Sequence, residues 1–591
     1  MQDRRRHGLA AYYKETLERV RADLVSDYTV ECEFHSDKDV DHVSGLNPGS
    51  VVWRIAVPGK EQLSALLAAI PPTFPDSFPR FYLTETDYFK CGELPHVDRN
   101  RFVCTRDPAV VVLNDACPER AFRELFTIAV SIVEAGTKGS SGQDFRDEFL
   151  AYWNDAVQHQ AIMICPVPRT PALLDMCEVI PAVCGASHLI ASSKVEALSW
   201  VAHLGVRANI TRVEKTLCLQ LPWIPEAVPK TNHDIKTIFD DLGRDEAQSV
   251  RSVHVWTVLG CILLRGDIML VLWQHPLAEV KGFRKRRGSV PLYLCVSHSE
   301  GQDVSIQRWR VRRFDRIRVV RRAVDMNMID NDDVRLAIVG CGSIGSVLSM
   351  LLEKSGCGRF TLIDPEELSE DNVARHLCGC RAVATTPKKV EAVKIALESH
   401  LPSVDCRVYD RDILDVLTST PQVVDDADLV IVATGNMAVE RRINDAFVGD
   451  VRKPVIYLWL EPYGVAGHIL YISPDHGGCY RCCFADDGQF LFSLAQDGHL
   501  FARREAGCQQ TFTPYGVADL TMFCAAACKE IIRIIKESQN QSTLITWVGD
   551  LEQFQSTGHA IRDEYRAHTS YSIHRREISK RDTCVSCGNR G

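Results

Sequence analysis

Apolar positions open the chain at helical spacing, with Leu9, Tyr13, Leu17 and Val20 on one face. Two short apolar runs, Val51 to Val57 and Arg80 to Thr84, predict strands. Between them lies Pro71-Pro-Thr-Phe-Pro-Asp-Ser-Phe-Pro79, whose prolines exclude helix and central strand. Ala121 to Ala135 reads as a helix, and Lys138-Gly-Ser-Ser-Gly-Gln143 as a joint. Beyond Asp325 the pattern alternates regularly. Strands are predicted at Val334 to Val339, Arg359 to Ile363, Asp428 to Ala433 and Pro454 to Trp459, and helices at Ser346 to Ser355 and Lys388 to Ser399. That alternation predicts a parallel-rich sheet covered by helices. Residues 151–325 are mixed and carry no chemical motif. Their apolar stretch Val253 to Trp273 is broken by Arg265, Gly266 and Asp267, so it reads as two buried strands and a turn, not a membrane span. The expectation is an α/β multidomain chain in three parts: residues 1–150, a mixed middle domain at 151–325, and residues 326–591.

At 591 residues the chain is too long for one core. Its 46% hydrophobic and 25% charged residues are ordinary for a globular protein. A net charge of -9 gives no support for nucleic-acid binding, and the basic run Lys281 to Arg287 reads as a solvated loop. No apolar run follows the basic start, so no secretory signal is read and a cytoplasmic location is expected. The 23 cysteines are scattered, without the density of a disulfide scaffold, which leaves them as core filler, metal ligands or nucleophiles.

Two motifs carry chemistry. In the first, the apolar Leu336 to Val339 runs into Gly340, Gly342 and Gly345, and a helix follows. Such glycines let the backbone turn tightly and approach phosphates, while the helix N-terminus presents free N–H groups. Asp364 ends the next strand, where a carboxylate would accept ribose hydroxyls. The turn by itself admits a dinucleotide or ATP. Asn372, Arg375 and Lys389 beyond it favour ATP, because two cations suit a triphosphate and its pyrophosphate leaving group.

The second motif pairs Cys479-x-x-Cys482 with Cys584-x-x-Cys587, giving the four thiolates of a structural Zn2+ site that would tie the C-terminal tail to the domain body. Cys483 competes with Cys482, and the spacing favours Cys482. Cys508 stands apart, in the polar setting Ala506-Gly-Cys-Gln-Gln-Thr-Phe-Thr-Pro514, unlike Cys524 and Cys528 in their apolar run. A catalytic thiol needs such exposure, yet the residues alone leave its role open.

On these motifs residues 326–591 resemble the Rossmann-like adenylation domain of ThiF, MoeB and ubiquitin-activating (E1) enzymes. The resemblance implies that Cys508 takes an acyl group as a thioester. One departure is Thr434-Gly435-Asn436, where the family carries Thr-Asp-Asn and uses the aspartate for Mg2+; Glu440 would be the substitute ligand. The family also implies an arginine reaching across a homodimer, Arg321 or Arg322 in this chain. The first region then resembles a ubiquitin-conjugating (E2, UBC-like) α+β domain, from its helix, strands, proline-rich segment and Pro95-His-Val…Val-Cys104. Cys104 would be its acceptor thiol, and His96 would stand where an asparagine steadies the oxyanion, since neutral imidazole can donate one hydrogen bond.

The fusion as a whole resembles the bacterial antiviral (CBASS) E1–E2 proteins of the CD-NTase-associated protein 2 family. That resemblance implies a cGAS/DncV-like nucleotidyltransferase as partner. Its C-terminal carboxylate would be adenylated with ATP and Mg2+, carried on Cys508 and then Cys104, and joined to a target lysine. Two other readings are activation of a ubiquitin-like or sulfur-carrier protein, and a non-catalytic docking scaffold.

Overall fold

The computed structural model describes residues 2–33, 49–92, 94–106, 111–138, 159–166, 172–218, 269–274, 292–300, 303–320, 334–448, 453–496, 503–504, 511–537 and 539–588. The first sheet is antiparallel, in the order β1 (Val30–Glu33), β2 (Val51–Ala56), β3 (Ala65–Ile70), β4 (Arg80–Leu83) and β5 (Phe102–Val103). Side chains alternate across it. Trp53, Ile55, Leu66, Ala68, Ile70 and Phe81 join Val20 and Leu24 of the helix Gln2–Val25, and Phe122 and Phe126 of the helix Pro118–Thr137, in one core. Val52, Leu67, Ala69 and Tyr82 face the other side. Period two in the sequence has become two faces of one sheet. The proline-rich segment links β3 to β4, and Phe74 from it lies edge-on to Phe122 at 6.0 Å in that core.

The middle region, unreadable as a pattern, forms a closed barrel. Its strands are β6 (His159–Met163), β7 (Ala172–Val183), β8 (Ala186–Ala191), β9 (Asn209–Cys218), β10 (Met269–Gln274), β11 (Leu292–Glu300) and β12 (Asp303–Arg313). Around the ring the order is β10-β11-β12-β6-β8-β7-β9, with parallel β9–β10 pairing closing it. Cys184 and Gly185 both take positive φ in the turn between β7 and β8, as two-residue hairpin turns require. Of the stretch Val253 to Trp273, residues 253–268 lie outside the described residues, as does the separate basic run Lys281 to Arg287; Met269 onward is strand.

The third sheet has eight strands in the order β15-β14-β13-β16-β17-β18-β21-β22. These are β13 (Arg335–Val339), β14 (Arg359–Ile363), β15 (Asp405–Tyr409), β16 (Leu429–Val432), β17 (Val455–Leu460), β18 (Ala466–Ile472), β21 (Thr543–Val548) and β22 (Ile573–Glu577); a small ribbon, β19 (Arg503–Arg504) with β20 (Thr511–Phe512), stands apart. Strands β15 to β17 are mutually parallel, and β18, β21 and β22 continue antiparallel. Leu336 and Ile338 face one core while Ala337 and Val339 face another, so β13 is buried on both sides, as parallel strands are. The chain runs from β13 to β14 on one side and reaches β16 on the other. Such a switch point opens a crevice at the strands' carboxyl ends.

Candidate functional site

The glycine turn sits at that crevice. Gly340 has φ +91°, and a Cβ there would stand 2.6 Å from the Ala433 carbonyl oxygen; at Gly345 it would stand 1.9 Å from the Gly340 oxygen. Packing alone demands these two glycines. Nothing lies within 4 Å of a Cβ at Gly342, which caps the helix Ser343–Lys354 without a side-chain cap bond. The open space at Gly342 and the uncapped helix N–H groups fit a phosphate chain.

Cys341, inside the turn, is held from both sides. Its N–H donates to Asp364 Oδ2 at 2.6 Å, and its carbonyl accepts from His376 Nε2 at 2.8 Å. His376 Nδ1 accepts the Cys378 N–H at 2.9 Å, which fixes the neutral tautomer with its proton on Nε2, and burial lowers its pKa. Asp364 Oδ1 accepts the Glu366 N–H at 2.8 Å. Burial raises the Asp364 pKa, with these N–H donors and Lys389 working against it. The carboxylate read as a ribose acceptor thus also shapes the turn, and an oxygen with two lone pairs can do both. Sequence reading missed His376, because its partner is a backbone carbonyl far away in the chain.

Lys389 is buried, with its ammonium paired to Glu366. Asn372 Oδ1 accepts the Ser369 N–H at 3.0 Å, and its carbonyl accepts the Arg375 N–H at 2.9 Å, so it folds the turn that delivers Arg375. The Arg375 guanidinium stands 4.8 Å from the centre of the Tyr515 ring and donates to the Thr513 carbonyl at 3.4 Å. In the Thr434-Gly435-Asn436 segment, Gly435 takes φ +63° and Asn436 caps the following helix. Glu440 is buried and accepts from the Thr434 hydroxyl at 2.9 Å and the Tyr480 hydroxyl at 2.7 Å. Burial raises its pKa. Both of its oxygens are engaged by these hydroxyls, which does not suit a Mg2+ ligand. Arg321 and Arg322 lie outside the described residues.

The four cysteines of the paired motifs come together. The sulfurs of Cys479, Cys482, Cys584 and Cys587 lie within 4.8 Å of one another, with Cys479–Cys584 at 3.6 Å and Cys482–Cys587 at 3.4 Å. A zinc tetrahedron with bonds of about 2.3 Å has sulfur–sulfur edges of about 3.8 Å, so the donor set fits. Cys483 is buried in the core beside them and is not one of the four. Asn444 Nδ2 donates to Cys479 Sγ at 3.6 Å. Asp445 accepts a two-pronged bond from Arg481 at 2.8 and 2.7 Å and another from Ser586, fastening the tail a second time.

Cys508 lies outside the described residues, but the chain on either side of it is anchored to one turn. Upstream, the buried Glu461 carboxylate accepts from Ser493 Oγ at 2.7 Å and from the N–H groups of Leu494 and Ala495 at 2.8 and 2.9 Å, besides His468 at 2.7 Å. Downstream, the Pro514 carbonyl accepts the Tyr463 N–H. Tyr463 sits in the left-handed region at φ +57°.

In the first sheet, Cys104 is exposed just past β5. Its N–H donates to the His96 carbonyl at 2.8 Å, next to the Val97–Val103 bridge, so the hairpin sets His96 and Cys104 side by side. His96 takes φ +61°, uncommon for a residue with a side chain. A cleft of about 1160 Å³ opens at Cys104, lined also by Tyr82, Asp98, Arg106 and the proline-rich residues 75–79. Among the described residues no helix is long and apolar enough to cross a membrane.

Residues 319–569 match the ThiF family, and residues 38–162 match prokaryotic E2 family B. An ATP-dependent ubiquitin transferase-like protein Cap2 of Vibrio cholerae is 28% identical over 251 residues, 40% of this chain and 41% of that protein. Its namesake in Pseudomonas aeruginosa is 27% identical over 184 residues, 30% of this chain and 32% of that protein. The matched stretches thus span less than half the length of these relatives. The crystal structure of E. coli MccB with ATP superposes at a TM-score of 0.32 and 19% identity, covering 45% of this chain and 70% of that one.

Proposed function

From a chain that joins a ThiF-family segment at residues 319–569 to a prokaryotic E2 family B segment at residues 38–162, we propose an enzyme that activates a partner protein's C-terminal carboxylate with ATP and conjugates it. The carboxylate oxygen attacks the α-phosphorus of ATP and pyrophosphate leaves, with charge stabilised by Arg375 and Lys389 and by the helix N-terminus at Gly342. The Cys508 thiolate attacks the acyl carbon and AMP leaves. The Cys104 thiolate then displaces Cys508, with His96 as the oxyanion donor. A lysine amine displaces Cys104, and the product is an isopeptide. Mg2+ arrives with the triphosphate. Zn2+ on Cys479, Cys482, Cys584 and Cys587 is structural, because four thiolates leave no open position.

In this reading the functional units are residues 1–150, 151–325 and 326–591, the partner is a cGAS/DncV-like nucleotidyltransferase in antiviral defence, and the enzyme works as a cytoplasmic homodimer. The observation that carries the proposal is the pairing, on one chain, of open space at Gly342 beside a helix N-terminus with an exposed thiol at the Cys104 cleft.

Incubation with ATP and candidate partners, followed by acid-gel and mass-spectrometric trapping, tests it. Cys104→Ala leaves a thioester at Cys508 and abolishes transfer. Cys508→Ala abolishes both thioesters and spares adenylation. Transfer by the Cys508→Ala protein would overturn the relay. Thioesters formed with a small β-grasp protein and not with a nucleotidyltransferase tail would move the substrate to the ubiquitin-like or sulfur-carrier class. A lack of partner-dependent ATP–pyrophosphate exchange would leave a docking scaffold.

A further inference from the structure

We infer that Tyr515 is a positioning residue of the adenylation site, holding the Arg375 guanidinium beside the helix N-terminus where phosphates are to bind. Two contacts converge on it, and a third holds Arg375 to the same segment. Its ring lies under the guanidinium, 4.8 Å from centre to Cζ, and its hydroxyl is 2.8 Å from Ser343 Oγ. Ser343 is the first residue of the helix after the glycine turn. The Thr513 carbonyl, two residues before the tyrosine, accepts one of the Arg375 N–H groups at 3.4 Å. One side chain therefore links the cation to the helix end.

The ring face attracts a cation through its π electrons and itself takes up no N–H donor, so it orients the guanidinium plane without entering its hydrogen bonding. An arginine already ordered on a ring loses less side-chain freedom when a triphosphate arrives. Tyr515 also packs against the core that holds the helix Ser343–Lys354, which makes it a rigid support.

This rests on the ATP-dependent reading of the site, and the test separates the two. The full chain is titrated calorimetrically with magnesium α,β-methylene-ATP, a non-cleavable analogue. Tyr515→Ala is expected to weaken binding about tenfold, as expected for losing a partly desolvated cation–ring contact. Tyr515→Phe, which keeps the ring, stays within about threefold of wild type, and Tyr515→Leu, which fills the space without a π face, behaves like alanine. In an Arg375→Ala background, Tyr515→Ala costs less than about twofold, because the two residues act as one unit. Equal losses in both backgrounds would overturn the inference, as would a leucine variant that binds like wild type. A wild-type chain that binds no nucleotide overturns the adenylation reading and this inference together. One that binds while the tyrosine and arginine effects simply add overturns this inference alone.

Discussion

Gly340 and Gly342 look alike in a sequence motif, but their surroundings assign them different tasks. Gly340 is required by the chain itself: a left-handed backbone and a carbonyl 2.6 Å from any added Cβ. Gly342 is required by nothing in the chain, since the space where its side chain would project is open. Gly340→Ala is therefore expected to lower stability by roughly 2 kcal/mol or more. Gly342→Ala should leave the melting temperature nearly unchanged while weakening ATP binding about tenfold or more, because the added methyl occupies the space left for phosphates. Thermal unfolding and ATP titration of the two variants check this. If Gly342→Ala binds ATP like wild type, the opening is not the phosphate site.

At the scale of elements, the sequence was legible wherever periodicity was simple. The helices Gln2–Val25, Pro118–Thr137, Ser343–Lys354 and Lys389–His400 and the strands β2, β4, β13, β14, β16 and β17 lie where the apolar pattern puts them, with ends displaced by a few residues. Strand β3 escaped because Ala65–Ile70 is buried on both faces and shows no alternation. The barrel escaped because its pairing is non-local: β6 runs beside β12, far along the chain. The candidate site divides the same way. Gly340, Asp364, Arg375 and the cysteine pairs could be read because spacing carries them. His376, Glu461 and Tyr515 could not, because their partners are backbone groups or side chains from distant elements.

One element carries a pH signature. Glu353, near the end of the helix Ser343–Lys354, is fully buried, and burial pushes its pKa up to about 8 against the pull of Lys354 and Arg316. Its Oε2 lies 2.9 Å from Nδ1 of His400, whose own pKa burial lowers, so near pH 7 both groups are held neutral. Between its ordinary value of 4.5 and about 8, the folded chain keeps a proton that the unfolded chain has released. Stability contributed by this site therefore falls as pH rises through that window. Glu353→Gln, neutral in both states, should melt above wild type at pH 8 and close to it at pH 5, with a difference of about 1–3 kcal/mol. Parallel melting curves across that range would show that Glu353 does not titrate as described.

For the whole molecule, the question is how the barrel stands on the third sheet, since the proposed relay needs Cys508 and Cys104 to meet. Strand β12 ends at Arg313, whose guanidinium grips the buried Asp315 at 2.7 and 2.8 Å. The next residue, Arg316, turns into the third region and donates to the Gly356 carbonyl. A Cβ at Gly358 would be 2.4 Å from its guanidinium, so that glycine makes the seat. His203 of the barrel's helix lies 3.5 Å from Glu398 of the helix Lys389–His400 at a second contact. Burial lowers the Arg316 pKa, so the desolvated cation is retained at a cost; the Gly356 carbonyl and the fitted seat fix a direction more than they add stability. Arg316→Ala leaves the glycine turn, Asp364 and Arg375 untouched, and thioester formation at Cys508 should proceed at the wild-type rate. Transfer to Cys104 should slow about tenfold, because the two thiols then meet from a wider range of orientations. Single-turnover trapping of both thioesters measures the two rates separately. If both remain at wild-type values, the arginine seat does not set the geometry of the relay.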